Sequence, residues 1–320
     1  MFTFAFVVIF FTAMEHKVHT KEPKGVSMKM RKLSIFLIFT GLSVALFSQN
    51  PDPCKADFKK PSRVKGMKLV WNDEFNTDGK PDPANWIYEN GFVRNQELQW
   101  YQADNANCKN GLLVIEGRRE KVSNPNFVSG SSDWKVSREF AEYTSACIKT
   151  RGLRQWLFGR FEMRARIDTS CGSWPAFWTL GISNPWPSCG EIDIMEFFRI
   201  KTGPIMLANF AWGTEQKWVA KWDDLKMPLS DVTGSDREWA KKFHTWRMDW
   251  GKDSISLYLD DRLMNSVSLS ETINPDGFNP FHQPHYILIN QAIGANGGDP
   301  SKSGSPIKYE VDWVRVYQKK

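Results

Sequence analysis

Three carboxylates stand close together in the stretch CGEIDIMEFF, residues 189–198. Successive side chains of a strand alternate between its faces, so Glu191 and Asp193 share one face and Glu196 has the opposite parity. Two neighbouring carboxyl groups can serve as nucleophile and proton donor, the pair that hydrolyses glycosidic bonds. The spacing alone equally allows an acidic, solvated edge strand or a calcium cluster. The surrounding chain must therefore decide between these readings.

A β-bulge would bring the third acid to the same face as the other two. One extra residue at Met195 resets the alternation, so that Glu196 joins Glu191 and Asp193 while Ile192 and Ile194 face the core. Without it, Glu196 would be buried as an unpaired carboxylate, which is costly. A fully extended strand would separate Glu191 from Glu196 by roughly 16 Å. The bulge and the two long side chains must close most of that gap.

Short β-type segments separated by turn signals run through most of the chain and predict an all-β fold. In GRFEMRARI (159–167), apolar and charged residues alternate strictly, which indicates a half-buried antiparallel strand. LYLDDRL indicates a hairpin around Asp260 and Asp261, and REWAKKF a short helical turn before a strand. No repeat or Gly/Ser linker divides residues 65–318. The sequence therefore predicts one domain of two packed antiparallel sheets.

The charge of the chain is concentrated at its N-terminus. Residues 1–49 have a surplus of four positive charges, so the remainder carries only +2 of the total +6, which gives no reason to expect nucleic acid or anionic membrane as a partner. MKMRKLSIFLIFTGLSVALFSQN has the basic, apolar and small-residue regions of a secretory signal peptide. We expect residues 1–49 to be this signal, with a start extended upstream of Met28, and residues 50–64 to lead into the domain. The chain is then secreted, periplasmic or on the cell surface.

The five cysteines and five histidines show no metal-binding spacing. Cys171 and Cys189 flank an apolar segment and could pair in an oxidising compartment, although buried free thiols fit as well.

The stretch GEIDIME resembles the active-site signature of glycoside hydrolase family 16, in its laminarinase-like branch with the bulged E-x-D-x-x-E pattern. Other blocks resemble the family in the same order over about residues 65–318: LVWNDEF, NQELQWY, GLLVIEGRRE, GRFEMRARI, GSWPAFWTLG and VDWVRVYQ. The resemblance implies a jelly-roll β-sandwich, concanavalin A-like, with an open cleft across its concave face. It also implies a single catalytic domain over residues 65–320.

The resemblance further implies roles for individual residues. Glu191 would be the nucleophile, Asp193 its helper and Glu196 the acid/base. Tryptophan rings bind the flat CH faces of sugars by apolar contact, and the substrate-binding residues expected in the cleft are Asn95, Trp174, Trp178, Trp186, Trp212, Asn290 and Gln291. No cofactor is expected for catalysis. A structural calcium would be held by Glu74, Asp312 and a carbonyl near Gly111, because oxygen ligands suit this cation; ion-paired or solvated acids are the alternative.

The sequence departs from the family pattern at two places. Ala211 stands where laminarinase-like members commonly have His, and Cys147 where many have a basic residue. The expected function is that of a retaining endo-β-glycosidase, acting as a monomer on β-1,3- or mixed β-1,3/1,4-glucan. The alternatives are an endo-β-galactanase acting on agar-type or host-glycan chains, a transglycosylase, and a lectin-like module that binds glycans without turnover. All three acids are present, which argues against the last of these.

Overall fold

The computed structural model describes residues 52–320, so the signal peptide predicted for residues 1–49 lies outside the described residues. Within them, two large antiparallel sheets pack face to face. The strands in chain order are β1 (Met67–Asp73), β2 (Ile87–Tyr88), β3 (Gln99–Tyr101), β4 (Ala106–Lys109), β5 (Leu112–Gly117), β6 (Val122–Ser123), β7 (Phe140–Ala141), β8 (Tyr143–Ser145), β9 (Cys147–Lys149), β10 (Gly159–Ile167), β11 (Ser173–Gly181), β12 (Glu191–Ile200), β13 (Gly203–Gly213), β14 (Ala220–Pro228), β15 (His244–Trp250), β16 (Ser254–Leu259), β17 (Arg262–Ser268), β18 (His285–Ile293) and β19 (Ile307–Lys319).

Helical structure is confined to short segments. One α-helical turn, α1 (Leu229–Thr233), follows β14. The 3₁₀ turns are Ala103–Asn105, Trp239–Lys241, Leu269–Glu271, Pro280–His282, Ala295–Gly297 and Pro300–Lys302. None of the helices in residues 52–320 is long and apolar enough to cross a membrane.

The two sheets have different strand orders. The first sheet runs β17-β16-β15-β10-β19-β5-β4, with β1 also paired to β19, and the second sheet runs β14-β13-β12-β11-β18-β9-β2. Two small two-stranded pairs, β3 with β8 and β6 with β7, lie outside these sheets. The predicted sandwich of two antiparallel sheets is confirmed. In the second sheet β12, the strand of the three acids, has two strands on one side and four on the other.

The core lies between the two sheets and follows the alternation of the strands. Phe161, Met163 and Ala165 of β10 are fully buried on the inner face of the first sheet, as GRFEMRARI predicts. Phe177 of β11 and Ile192 of β12 are fully buried on the inner face of the second. Since these inner positions are occupied by apolar side chains, the alternate positions of β11, β12 and β13 are left for the opposite face of the second sheet.

Two local predictions are also confirmed. Asp260 and Asp261 form the two-residue hairpin between β16 and β17, with φ angles of 47° and 66° that suit a type I′ turn. The 3₁₀ turn at Trp239–Lys241 precedes β15, as expected from REWAKKF. Residues before β1 lie against the sandwich, where the backbone oxygen of Lys55 accepts a 2.9 Å hydrogen bond from Arg164.

Candidate active site

The strand β12 contains a bulge between Asp193 and Glu196. Asp193 pairs with Asn209 of β13 and Glu196 with Leu207, so two residues of β12 face the single residue between those partners. On the β11 side Met195 pairs with Phe177, and the next pair is Asp193 with Trp178, which leaves Ile194 as the extra residue. The predicted bulge is therefore present, one position earlier than Met195 when judged against β11. Ile194 and Met195 are both buried in the core.

The consequence of the bulge is that all three acids line one cavity on the outer face of the second sheet. This cavity has a volume of about 630 Å³. Its lining crosses the strands from β14 to β18 and comprises Arg94, Asn95, Glu97, Trp174, Ala176, Trp178, Leu180, Trp186, Glu191, Asp193, Glu196, Phe198, Leu207, Asn209, Trp222, Asp224, Lys226, Asn290 and Asn296.

Each of the two glutamates has its own tryptophan donor. The indole Nε1–H of Trp186 donates to Oε2 of Glu191 over 2.8 Å. Trp174 donates in the same way to Oε1 of Glu196, also over 2.8 Å. Because an indole N–H can only donate, both bonds favour the ionised carboxylate over the protonated acid.

The amide of Asn209 lies between Asp193 and Glu196. Its Nδ2 donates to Oδ2 of Asp193 over 3.2 Å and to Oε2 of Glu196 over 3.3 Å. Asn209 is buried, with 3% of its surface exposed. Its Oδ1 has no hydrogen-bond partner among the described residues. The side chain therefore fixes Asp193 and Glu196 relative to each other and retains one free acceptor.

Burial sets the protonation of the three acids. It raises the pKa of Glu196 to about 7, against the lowering effect of the Trp174 hydrogen bond. Burial raises the pKa of Glu191 as well, while the bonds from Trp186 and Asp193 and the charge of Arg94 act in the opposite direction. The pKa of Asp193 is held well above its usual range by burial and by the charges of both glutamates. The hydrogen bond between Asp193 and Glu191 adds to this effect, because it raises the pKa of Asp193 and lowers that of Glu191.

The cavity floor beside the acids is aromatic and held by hydrogen bonds. Trp178 of β11 donates through Nε1 to Oδ1 of Asn290, over 2.8 Å. Asn290 in turn donates through Nδ2 to the hydroxyl of Tyr101, over 3.2 Å. The side chain of Asn95 donates to the buried Glu97, over 3.3 Å. A polysaccharide chain crossing the strands would therefore meet a flat ring surface flanked by amide groups.

Comparisons with known proteins agree with this geometry. The model of the family Glycosyl hydrolases family 16 matches residues 115–315. The chain belongs to this family. Among curated relatives, a β-glucanase of Rhodothermus marinus is 32% identical over 283 residues, which cover 81% of this chain and 88% of the relative. A glucan endo-1,3-beta-glucosidase of Cryptopygus antarcticus is 32% identical over 273 residues, covering 78% and 91% of the two chains.

A solved structure is similar over most of the sandwich. It comes from work on endo-acting O-glycanases that prominent members of the human gut microbiota express to initiate mucin breakdown. Its TM-score is 0.73 at 34% identity, covering 82% of this chain and 94% of that chain. The family membership makes this protein a glycoside hydrolase, as expected from the resemblance of GEIDIME and its flanking blocks.

Five of the seven substrate-binding residues predicted for this family 16 chain line the cavity, and Trp212 and Gln291 do not. Trp212 is 4% exposed and packs in the core between the sheets, because it has the opposite parity to Asn209 on β13. Gln291 is fully buried and donates through Nε2 to Ser173 and to the backbone oxygen of Ala292. It has the opposite parity to Asn290 on β18. The predicted sugar contacts of Trp212 and Gln291 therefore disagree with the structure.

The calcium site predicted for this family 16 chain does not fit the residues present. Glu74 accepts two hydrogen bonds from Arg315, at 2.9 and 2.7 Å. Asp312, which occupies a bulge of β19, forms a 2.5 Å ion pair with Arg164. A guanidinium beside each acid would repel a cation. Within residues 52–320, no group of three or more His, Cys, Asp or Glu side chains could hold a metal ion. The ion-paired alternative describes both acids, and Gly111 is covered by the ring of Phe58.

Several cavity residues were not identified from the sequence, among them Arg94, Asn209 and Trp222. Arg94 is ion-paired with Glu89, and its guanidinium lies 5.2 Å from the ring of Trp178. Asn209 lies two residues before Ala211 on β13, so strand alternation counted from Ala211 would have found it, whereas no local signal distinguishes Arg94 or Trp222. The five cysteines are all free thiols, so Cys171 and Cys189 do not pair.

Proposed function

We propose that the protein is a retaining endo-β-glycosidase in which Glu191 is the nucleophile and Glu196 the general acid/base. The observation that carries this proposal is the bulge of β12, which places both glutamates in one cavity, each with its own tryptophan donor. A retaining glycosidase needs two carboxyl groups in different protonation states. A pKa of about 7 suits Glu196 to donate a proton near neutral pH.

The side chains then account for both steps of a double displacement. The Glu191 carboxylate attacks the anomeric carbon as the bond to the leaving oxygen breaks, and Glu196 gives its proton to that oxygen. The product of this step is a covalent glycosyl ester of Glu191. In the second step Glu196, now ionised, takes a proton from water. The water oxygen bonds to the anomeric carbon and releases Glu191, with the original anomeric configuration restored.

Asp193 acts on the nucleophile through a hydrogen bond. In this proposal Asp193 keeps its proton, in line with its raised pKa, and donates a hydrogen bond to Glu191. Such a bond stabilises the carboxylate before attack and weakens as the ester forms, so Asp193 holds Glu191 in place and helps it to leave.

The proposed substrate is β-1,3- or mixed β-1,3/1,4-glucan. The similarity to the glucanases of R. marinus and C. antarcticus supports it. So does a cavity that crosses the strands, since an endo-acting enzyme must hold sugars on both sides of the bond it cuts.

A second candidate is an endo-β-galactosidase acting on host-glycan chains. Two observations favour it. Ala211, which pairs with Glu191 across β12 and β13, stands where laminarinase-like relatives commonly have His. The similar structure with a TM-score of 0.73 comes from work on mucin O-glycanases. We also propose secretion, supported by the signal-peptide pattern of residues 1–49.

The test is a substrate panel of laminarin, lichenan, agarose, carrageenan and mucin glycans, with the products sized. Glu191→Gln and Glu196→Gln should each abolish cleavage while oligosaccharide binding remains, and Glu271→Gln, an exposed acid far along the chain, is the control. Internal cuts in laminarin or lichenan support the glucan proposal, and cuts only in mucin glycans or agarose support the second candidate. Absence of products from every polymer would contradict catalysis in favour of a binding module. Products longer than the substrate would indicate a transglycosylase, and a first product with the inverted anomeric configuration would contradict retention.

A further inference from the structure

Each of the three acids of β12 begins a row of paired residues that runs across β13 to the edge strand β14. Strand pairing places Glu191 opposite Ala211, and Ala211 opposite Trp222. The next two rows are Asp193–Asn209–Asp224 and Glu196–Leu207–Lys226. Trp222, Asp224 and Lys226 all line the same cavity as the acids. The cleft therefore continues from β12 over β13 to the free edge of the second sheet.

Trp222 is the exposed aromatic side chain of this extension. It is 43% exposed, whereas Trp174 and Trp178 on the other side of β12 are 6% and 8% exposed. Strands lie about 4.8 Å apart, so the backbone of Trp222 is roughly 10 Å from that of Glu191. Between them Ala211 has only a methyl group, which keeps the sheet surface low at this point.

The strand that carries Trp222 is anchored from the opposite sheet. Asn265 of β17 donates through Nδ2 to the backbone oxygen of Ala208 and to Oδ1 of Asp223, each over 3.0 Å. Asp224 and Lys226 form a 2.5 Å ion pair on the cleft side. The edge strand is thus held against its neighbours and presents a fixed ring with two charged, hydrogen-bonding groups next to it.

We propose that Trp222 forms a sugar-binding subsite on the far side of the scissile bond from Trp178. This inference rests on the proposed endo-glycosidase function. The occupant is a pyranose ring of the same β-linked polysaccharide chain, with its CH face on the indole and its hydroxyl groups near Asp224 and Lys226. The continuity of the cavity from the acids to Trp222 is the reason to assign a sugar rather than a protein partner. The chain would leave the cleft over the edge of β14.

The test compares Trp222→Ala and Trp222→Phe with Trp218→Ala as a matched control. Trp218 is 57% exposed but does not line the cavity. Calorimetric titration in the Glu191→Gln background would use long oligosaccharides of whichever polysaccharide the wild type cleaves. We expect Trp222→Ala to bind about five- to tenfold more weakly, Trp222→Phe to retain most of the affinity, and Trp218→Ala to match the parent.

The second readout is the position of the cut in an end-labelled oligosaccharide. Loss of one subsite should move the preferred cut in Trp222→Ala, which a general loss of stability would not do. Unchanged affinity and an unchanged cut position would overturn the Trp222 subsite while the wild-type activity stands. A change in the mass of the particle in solution, without a change in sugar affinity, would overturn it in favour of contact between copies. If the wild type cleaves no polysaccharide, the proposed function itself fails.

Discussion

The indole Nε1–H of Trp174 donates a 2.8 Å hydrogen bond to Oε1 of Glu196, the carboxyl group whose pKa burial raises to about 7. The bond opposes the effect of burial, because it stabilises the ionised form. Trp186 has the same relation to Glu191. The two tryptophans therefore adjust the two titrations on which a double displacement depends, and they can be removed one at a time.

Replacing Trp174 by Phe should move the alkaline limb of the pH–rate profile to higher pH. The proposed reaction needs Glu196 protonated, so wild-type kcat/KM should fall as the pH rises through about 7. Without the indole donor the pKa of Glu196 rises further, and the proton is retained to higher pH. Profiles of kcat/KM against pH for both proteins measure this. An alkaline limb that stays in place or moves to lower pH would contradict the role of this bond.

Replacing Trp186 by Phe should instead move the acid limb to higher pH. In the proposed reaction Glu191 must be ionised to attack, and the Trp186 bond lowers its pKa. Its loss makes Glu191 take up a proton at higher pH, so activity on the acid side of the optimum should fall more than activity at the optimum. The alkaline limb, which belongs to Glu196, is the internal control. Equal losses at every pH would mean that Trp186 serves only to bind sugar.

The bulge of β12 could be predicted from the sequence, because few strand conformations bring Glu196 to the same face as Glu191 and Asp193. Ile192 and Ile194 require an inward face, and a third buried acid among them would be costly. A bulge resolves this conflict, and it is present between Asp193 and Glu196. The strict alternation of GRFEMRARI likewise fixed the buried face of β10.

Other residues depended on contacts that no local pattern records. Trp212 and Gln291 stand next in sequence to positions that face the cleft, and one step along a strand moves a side chain to the other face. Glu74 and Asp312 are paired with arginines of distant strands, a choice that composition does not reveal. Arg94 lies in a loop before β3. Its position depends on its ion pair with Glu89, which also binds Lys149, and not on the alternation of a strand.

Glu196→Gln should stabilise the protein while it abolishes catalysis. The pKa of Glu196 is about 7 in the folded state and 4.5 as its ordinary value, so the folded state binds the proton more tightly. Between these values the free energy of unfolding falls as the pH rises, and above about 7 the full cost of the buried charge remains. The neutral amide avoids that cost. We expect a gain of about 1–3 kcal/mol at pH 8 that disappears below pH 4.5, measured by denaturant unfolding at both pH values. A Glu196→Gln variant that is only as stable as the wild type at pH 8, or less stable, would contradict the raised pKa.

Asn209→Ala should lower kcat about tenfold with little change in KM. The amide donates to both Asp193 and Glu196, and each such hydrogen bond contributes roughly 0.5–1.5 kcal/mol, so that losing both corresponds to about tenfold in rate. Its removal frees the two acids to shift relative to each other without removing a sugar platform. Asn107→Ala, on β4 of the first sheet, is the matched control. A rise in KM with kcat intact would instead indicate that Asn209 binds substrate through its unpaired Oδ1.

Arg94 provides the last prediction, because it is a partly buried cation in the cavity next to the acids. It is ion-paired with Glu89, which also accepts a 3.0 Å bond from Lys149, and its guanidinium lies 5.2 Å from the ring of Trp178. Its charge lowers the pKa of Glu191, so Arg94→Met should raise that pKa and move the acid limb of kcat/KM to higher pH. The same change leaves Glu89 with Lys149 as its one cationic partner, so it should also lower the stability of the protein.

Arg94→Lys separates the two effects. It keeps the charge that favours ionised Glu191 but loses the planar group beside Trp178. The acid limb should therefore return close to its wild-type position, while the affinity for oligosaccharides falls because the Trp178 platform is less well held. pH–rate profiles together with calorimetric titration of both variants distinguish these outcomes. An acid limb displaced equally in Arg94→Lys and Arg94→Met would show that the charge of Arg94 does not set the titration of Glu191.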